Sequence, residues 1–125
     1  MTITVTFPGG VAVDATVGGH VVHTDQPAPL GDGSAPSPFD LFLASIATCM
    51  GFYALRFCQE RNIDTEGLSL SLDRRDESIH VSLQLPEGFP DKYFDAIHRA
   101  VDHCAVKRQM LIPPRFEITL GLTLA

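Results

Sequence analysis

The chain has no lysine or arginine before Arg56, and its formal net charge is −6. No later basic cluster reverses that balance, which argues against nucleic acid as the main partner. Cysteine is scarce: three residues, an odd number, with no C-x-x-C pair. That argues against a structural disulfide frame and against a structural zinc site. There is no G-x-G-x-x-G, no P-loop and no G-x-S-x-G, so the usual nucleotide and serine-hydrolase signatures are missing. The first residues, MTITVTF, alternate like a strand and lack the basic start and apolar core of a secretory leader, so a cytoplasmic protein is expected. Repeats and low-complexity tails are also lacking. At 125 residues, with 45% hydrophobic and 19% charged content, the chain fits one domain, 1–125, with a core of its own.

Charge is missing locally as well. From Leu41 to Leu55 no side chain is charged, while Leu41, Phe42, Leu43, Ile46, Met50, Phe52, Tyr53 and Leu55 put apolar groups on every side of a helix. Such a helix is buried in a core or lies in a membrane. A span needs roughly 20 apolar residues. This run is shorter and holds Ser45, Thr48, Cys49 and Gly51, so the reading is a central buried helix over 37–61 and no membrane partner. Its start is well marked: Ser37 is a capping residue, Pro38 suits the first helical position, and Asp40 falls where the third residue of a capping box belongs.

Around that helix the pattern has period two. Ile3, Val5 and Phe7, then Val11, Val13, Ala15 and Val17, alternate on either side of Pro8-Gly9-Gly10 and predict a hairpin. A third strand is expected over 20–24, followed by a Pro- and Gly-rich loop over 25–36. After the helix, Leu68, Leu70 and Leu72, then Ile79, Val81, Leu83 and Leu85, predict a second hairpin turning at 76–78. Phe94, Ile97, Val101 and Cys104 follow helical spacing, with a break near Cys104 and a short helical turn through 106–111. Phe116, Ile118, Leu120, Leu122 and Leu124 alternate as a last strand. Antiparallel strands segregated from two main helices make an α+β domain. One small sheet covers only one side of an all-apolar helix, so a homodimer is expected with that helix at or near the interface.

Two thiols stand where chemistry is plausible. Cys49 is in the middle of the long helix. Cys104, on the apolar face of the second helix, sits at the start of a new turn with Lys107 and Arg108 beside it; a helix start and positive charge both favour a thiolate. Cys58 lies nine residues after Cys49, about half a turn round the helix and roughly 13 Å along it, so it reads as packing. His20-x-x-His23 could be a ligand pair, but a three-residue step on a strand sends the two rings to opposite faces.

With these residues placed, the chain resembles the OsmC family of osmotically inducible and organic hydroperoxide resistance proteins. The resemblance rests on GDGSAPSPFDLFLASIATC, with its cysteine inside the apolar helix, on HCAVKRQM, and on the order of elements from end to end. It implies an OsmC-like fold, antiparallel strands wrapped around long central helices in an intertwined homodimer. It also implies that a small-molecule hydroperoxide is reduced, with Cys49 as peroxidatic thiol, Cys104 as resolving thiol, a dithiol as reductant and no cofactor. The peroxidase branches carry a Glu ten positions before the reactive Cys, paired to an N-terminal Arg. Here that position is Phe39 and the Arg is absent, which places the chain with the OsmC-like outer branch. Asp40, His20 and His23 are the candidate supporting residues. With no early cation, Cys49 is expected to be a weakly acidic thiol and Cys104 the more acidic of the two. The rival expectation is a non-enzymatic OsmC-fold dimer that binds a small apolar ligand or senses oxidants.

Overall fold

A computed structural model of the chain describes residues 1–121. Two compact units are distinguished: Met1–Thr48 with Ser71–Ser82, and Cys49–Leu70 with the chain from Leu83 onward.

The first unit is built on a three-stranded antiparallel sheet, β1 (Ile3–Gly9), β2 (Ala12–Val17) and β3 (His20–Thr24), in the order β1-β2-β3. The β1–β2 register shifts between Thr6 and Gly9. Pro8 lies within that shift; it has no N–H to give a ladder, so the irregularity falls where the sequence cannot sustain pairing. The β2–β3 connection is Gly18-Gly19, closed by the Val17–His20 pair, and both glycines have positive φ, 54° and 84°. Two such residues in a row give the turn whose twist suits a tight hairpin.

The loop after β3 is fastened from within by Asp25, which is only 4% exposed. Its Oδ1 accepts the Gln26 N–H, and its Oδ2 accepts the Ser34 hydroxyl at 2.7 Å and the N–H groups of Ser34 and Asp32. The Ser34 hydroxyl foremost, then the backbone donors, hold this carboxyl below the usual range against the opposing effect of burial. A buried carboxylate with this many donors is a structural anchor. The loop delivers the chain to α1 (Pro38–Glu60). Ser37 caps that helix, its Oγ accepting the Asp40 N–H at 3.2 Å.

α1 is long and apolar enough to cross a membrane, by length and composition. In the folded chain it instead buries one stripe, Ile46, Met50, Ala54, Phe57 and Cys58. Phe42, Phe52 and Leu55 remain exposed, so one chain covers only one side of a helix that is apolar all round. β4 (Ser69–Arg75) and β5 (Ser78–Gln84) form a two-stranded sheet. Asp76, with φ 52°, makes the turn between them.

The second unit has its core on the latter half of α1. Phe57 lies against Phe89 and edge-on to Tyr93, with ring centroids 6.3 and 5.7 Å away, and Phe89 stacks on Phe94 at 6.0 Å. Geometry of this kind adds to plain area burial. A single 3₁₀ turn, Asp91–Tyr93, leads into α2 (Phe94–Asp102), which buries Ile97 and Val101. The chain breaks at His103 and restarts as α3 (Ala105–Leu111), with Cys104 as its N-cap.

The expected last strand is not formed in the described part of the chain. Residues 113–121 have no regular secondary structure. Phe116, Ile118 and Leu120 are 80, 86 and 97% exposed, and Leu122 and Leu124 lie outside the described residues. The alternation is that of a strand, but a strand needs a neighbour to pair with, and this stretch has none in its own chain among the described residues.

Candidate active site

α1 and the α2–α3 break bring Cys49 and Cys104 together. Cys49 is half-buried; Cys104 and Cys58 are each 0% exposed, and none of the three is in a disulfide. Cys104 is held by its own helix: as N-cap of α3 its Sγ accepts the Lys107 N–H at 3.4 Å. The same break places the next backbone N–H groups, those of Ala105 and Val106, and the Cys104 thiol near enough to Cys49 to influence its charge.

These contacts set the acidity of the pair. Burial is the largest single influence on Cys49 and disfavours its thiolate. The Val106 N–H, the Cys104 thiol and the Ala105 N–H together outweigh it and bring the Cys49 thiol below its ordinary value. Cys104 moves the other way. Burial pushes it up, and its bond to Cys49 together with the charge of that thiolate pushes in the same direction, more than the N–H groups of Lys107 and Val106 offset. The arrangement sets a Cys49 thiol shifted toward greater acidity beside a Cys104 thiol shifted the other way.

This reverses the acidity expected from the sequence. Cys49 is mid-helix with no early cation, but it draws its donors from a helix start that is remote in sequence. One of the two cations expected to acidify Cys104 is occupied: the Lys107 ammonium is paired with the Asp102 carboxylate and bonded to the Asp102 carbonyl.

The other candidate residues have different partners. His23 Nδ1 is 3.0 Å from Asp14 Oδ1, its cross-strand neighbour, and His20 is exposed opposite Val17. Asp40 is exposed in the first turn of α1. It lies nine residues, about 13 Å of helix rise, before Cys49. Phe39, where the resembling peroxidases have Glu, carries the Arg74 guanidinium over its ring at 4.7 Å. Cys58 is buried, and burial raises its thiol despite the opposing charge of Arg61, as a packing residue requires. Among the described residues no group of three His, Cys, Asp or Glu side chains is placed to hold a metal ion.

No curated protein matches the chain in sequence. Among solved structures it is similar to an osmotic stress induced and detoxification response protein of Psychrobacter arcticus 273-4. The TM-score is 0.71, with 23% identity over 87% of each chain. It is also similar to an organic hydroperoxide resistance protein OsmC of Legionella pneumophila, with a TM-score of 0.56 and 20% identity over 87% of each chain. At these identities the likeness concerns the fold, a mixed architecture of helices and antiparallel strands. The OsmC-like protein family model matches residues 31–119, a span that runs from the Asp25-fastened loop through α1 and on past α3. The chain belongs to the OsmC family.

Proposed function

We propose that the chain is a thiol-dependent peroxidase that reduces organic hydroperoxides through Cys49 and Cys104. The observation that carries this reading is the juxtaposition of two free cysteines, Cys49 in α1 and Cys104 at the start of α3, with the Ala105 and Val106 N–H groups beside Cys49. The Cys49 thiolate attacks the distal oxygen of ROOH. The O–O bond breaks, RO⁻ leaves with the bonding pair and takes a proton, and Cys49, oxidised by two electrons, becomes a sulfenic acid. The Cys104 sulfur, deprotonating as it attacks, then displaces the sulfenic oxygen as water and forms the Cys49–Cys104 disulfide. A small dithiol reopens it by exchange and is itself oxidised. The N–H groups of Ala105 and Val106 do in this chain what an N-terminal guanidinium does in the resembling peroxidases, holding negative charge on sulfur.

The working form in this proposal is a homodimer. What supports it is the exposed apolar side of α1, Phe42, Phe52 and Leu55, together with the uncovered run of Phe116, Ile118 and Leu120. Exposed large apolar side chains in such number mark an interface.

The test is consumption of cumene hydroperoxide with dithiothreitol as reductant. Cys49→Ser abolishes turnover. Cys104→Ser permits one oxidation and accumulates a sulfenic acid that dimedone traps. Wild-type turnover that survives Cys49→Ser refutes the proposal.

A further inference from the structure

On the side of the second unit where α1 meets α2 there is a shallow cavity, largely open to solvent, of about 360 Å³, lined by Tyr53, Arg56, Phe57, Glu60, Arg61 and Arg99. Two alanines of α2, Ala96 and Ala100, leave the space open. Three arginines and one glutamate line it, on a chain whose formal net charge is −6 and which has nine lysines and arginines in all. Like charges in a concave site repel one another unless an anion joins them.

The local partners do not remove the excess. Arg56 reaches Glu60 at 3.2 Å, a pair with both side chains about half exposed, 48 and 58%. Such a pair is weak and readily exchanged. Arg61 is oriented by the Phe57 carbonyl at 3.1 Å and by stacking on the Phe57 ring at 3.6 Å, neither of which cancels its charge. Arg99 has no carboxylate partner among the described residues.

The position of the cavity matters as much as its charge. Cys49, Tyr53, Arg56 and Glu60 follow one another at helical spacing, so they form one stripe along α1. Cys49 is one turn before Tyr53, and Arg56 is on the order of 10 Å beyond Cys49. On the facing side, α2 carries Ala96, Arg99 and Ala100 and ends two residues before Cys104. Both walls of the cavity lead toward the dithiol.

We infer that this cavity is an anion site that holds the carboxylate of the hydroperoxide while its O–O bond lies at Cys49. Arg56 and Arg99 grip the carboxylate as forked donors, and Arg61 adds charge from a fixed position. The class of substrate is an organic hydroperoxide whose acid group and peroxide stand about one aromatic ring apart. The inference rests on the peroxidase reading for its kinetics but not for its binding.

The experiment compares cumene hydroperoxide with its para-carboxylate, and separately measures binding of 4-isopropylbenzoate, which cannot react, to the intact reduced protein by calorimetry. The expected kcat/KM for the carboxylated peroxide exceeds that for the neutral one about tenfold or more, the effect of one good hydrogen-bonded charge contact. The preference shrinks as salt is raised. In R56Q/R99Q the ratio falls to about one and 4-isopropylbenzoate binding is lost, while Arg115→Gln alters neither. Equal kcat/KM for the two peroxides in the wild type, or a ratio that persists in R56Q/R99Q, overturns the inference. Saturable, Arg-dependent benzoate binding by a chain that reduces neither peroxide upholds the anion site and refutes the peroxidase reading alone. Turnover of both peroxides with no benzoate binding does the reverse.

Discussion

Removing the Cys104 thiol tests whether Cys49 owes its acidity to the α2–α3 break. Cys104→Ala takes away one of the three groups that favour the Cys49 thiolate and the sulfur that accepts the Lys107 N–H at 3.4 Å. The thiolate population of Cys49 at pH 7 therefore falls, and its alkylation midpoint moves up. The lost cap destabilises the fold further, by about 0.5 kcal/mol at the low end of the capping range. Cys104→Ser keeps both a donor and a cap acceptor at the site and leaves the acidity of Cys49 nearly as it was. The assay is iodoacetamide alkylation across pH 5–10, followed at each cysteine by mass spectrometry and read as the midpoint of the rate profile. In the wild type the Cys49 midpoint lies below that of an ordinary thiol, because its thiolate persists as pH falls, and the Cys104 midpoint lies above it. A Cys49 profile unmoved by Cys104→Ala, or a Cys104 midpoint below that of Cys49, refutes the reasoning.

Cys58→Ala leaves peroxide turnover within a few-fold of wild type and lowers unfolding free energy by about 1–2 kcal/mol, read from a urea titration. Asp25→Ala lowers Tm by several degrees at neutral pH. Because the Asp25 carboxyl is held below its usual value, its contribution is complete above the ordinary carboxylate range and is lost as pH falls through the depressed value, so the Tm gap narrows in acid. Light scattering at micromolar concentration gives the mass of a dimer; a compact monomer leaves Phe42, Phe52 and Leu55 without cover.

Much of the fold is legible from local pattern. The cap at Ser37, the α1 limits, the span of β3 and the break before α3 follow from residues that act on their immediate neighbours. The candidate site is legible only in part. The thiols announce themselves through motif and helical phase, but the acidity of Cys49 does not, since its donors are the backbone groups of Ala105 and Val106, which any residue type supplies. The anchoring of the loop by Asp25 is equally silent: an aspartate among Pro and Gly reads as solvated until Ser34 is seen folded back onto it. The apolar alternation from Phe116 is real, yet pairing is a property of two segments, and the sequence names only one.

Gly31 bears on how this protein can drift. A Cβ built there would stand 2.3 Å from the Gln26 carbonyl oxygen and 2.6 Å from Asp25 Oδ1. The first obstacle is backbone and the second belongs to the loop's buried anchor, so neither can give way without undoing the loop. In a saturation library selected for folded protein, position 31 therefore admits glycine alone. At Gly51, where an added Cβ meets nothing within 4 Å, alanine is tolerated. Two glycines that look alike in the sequence carry opposite freedom to vary.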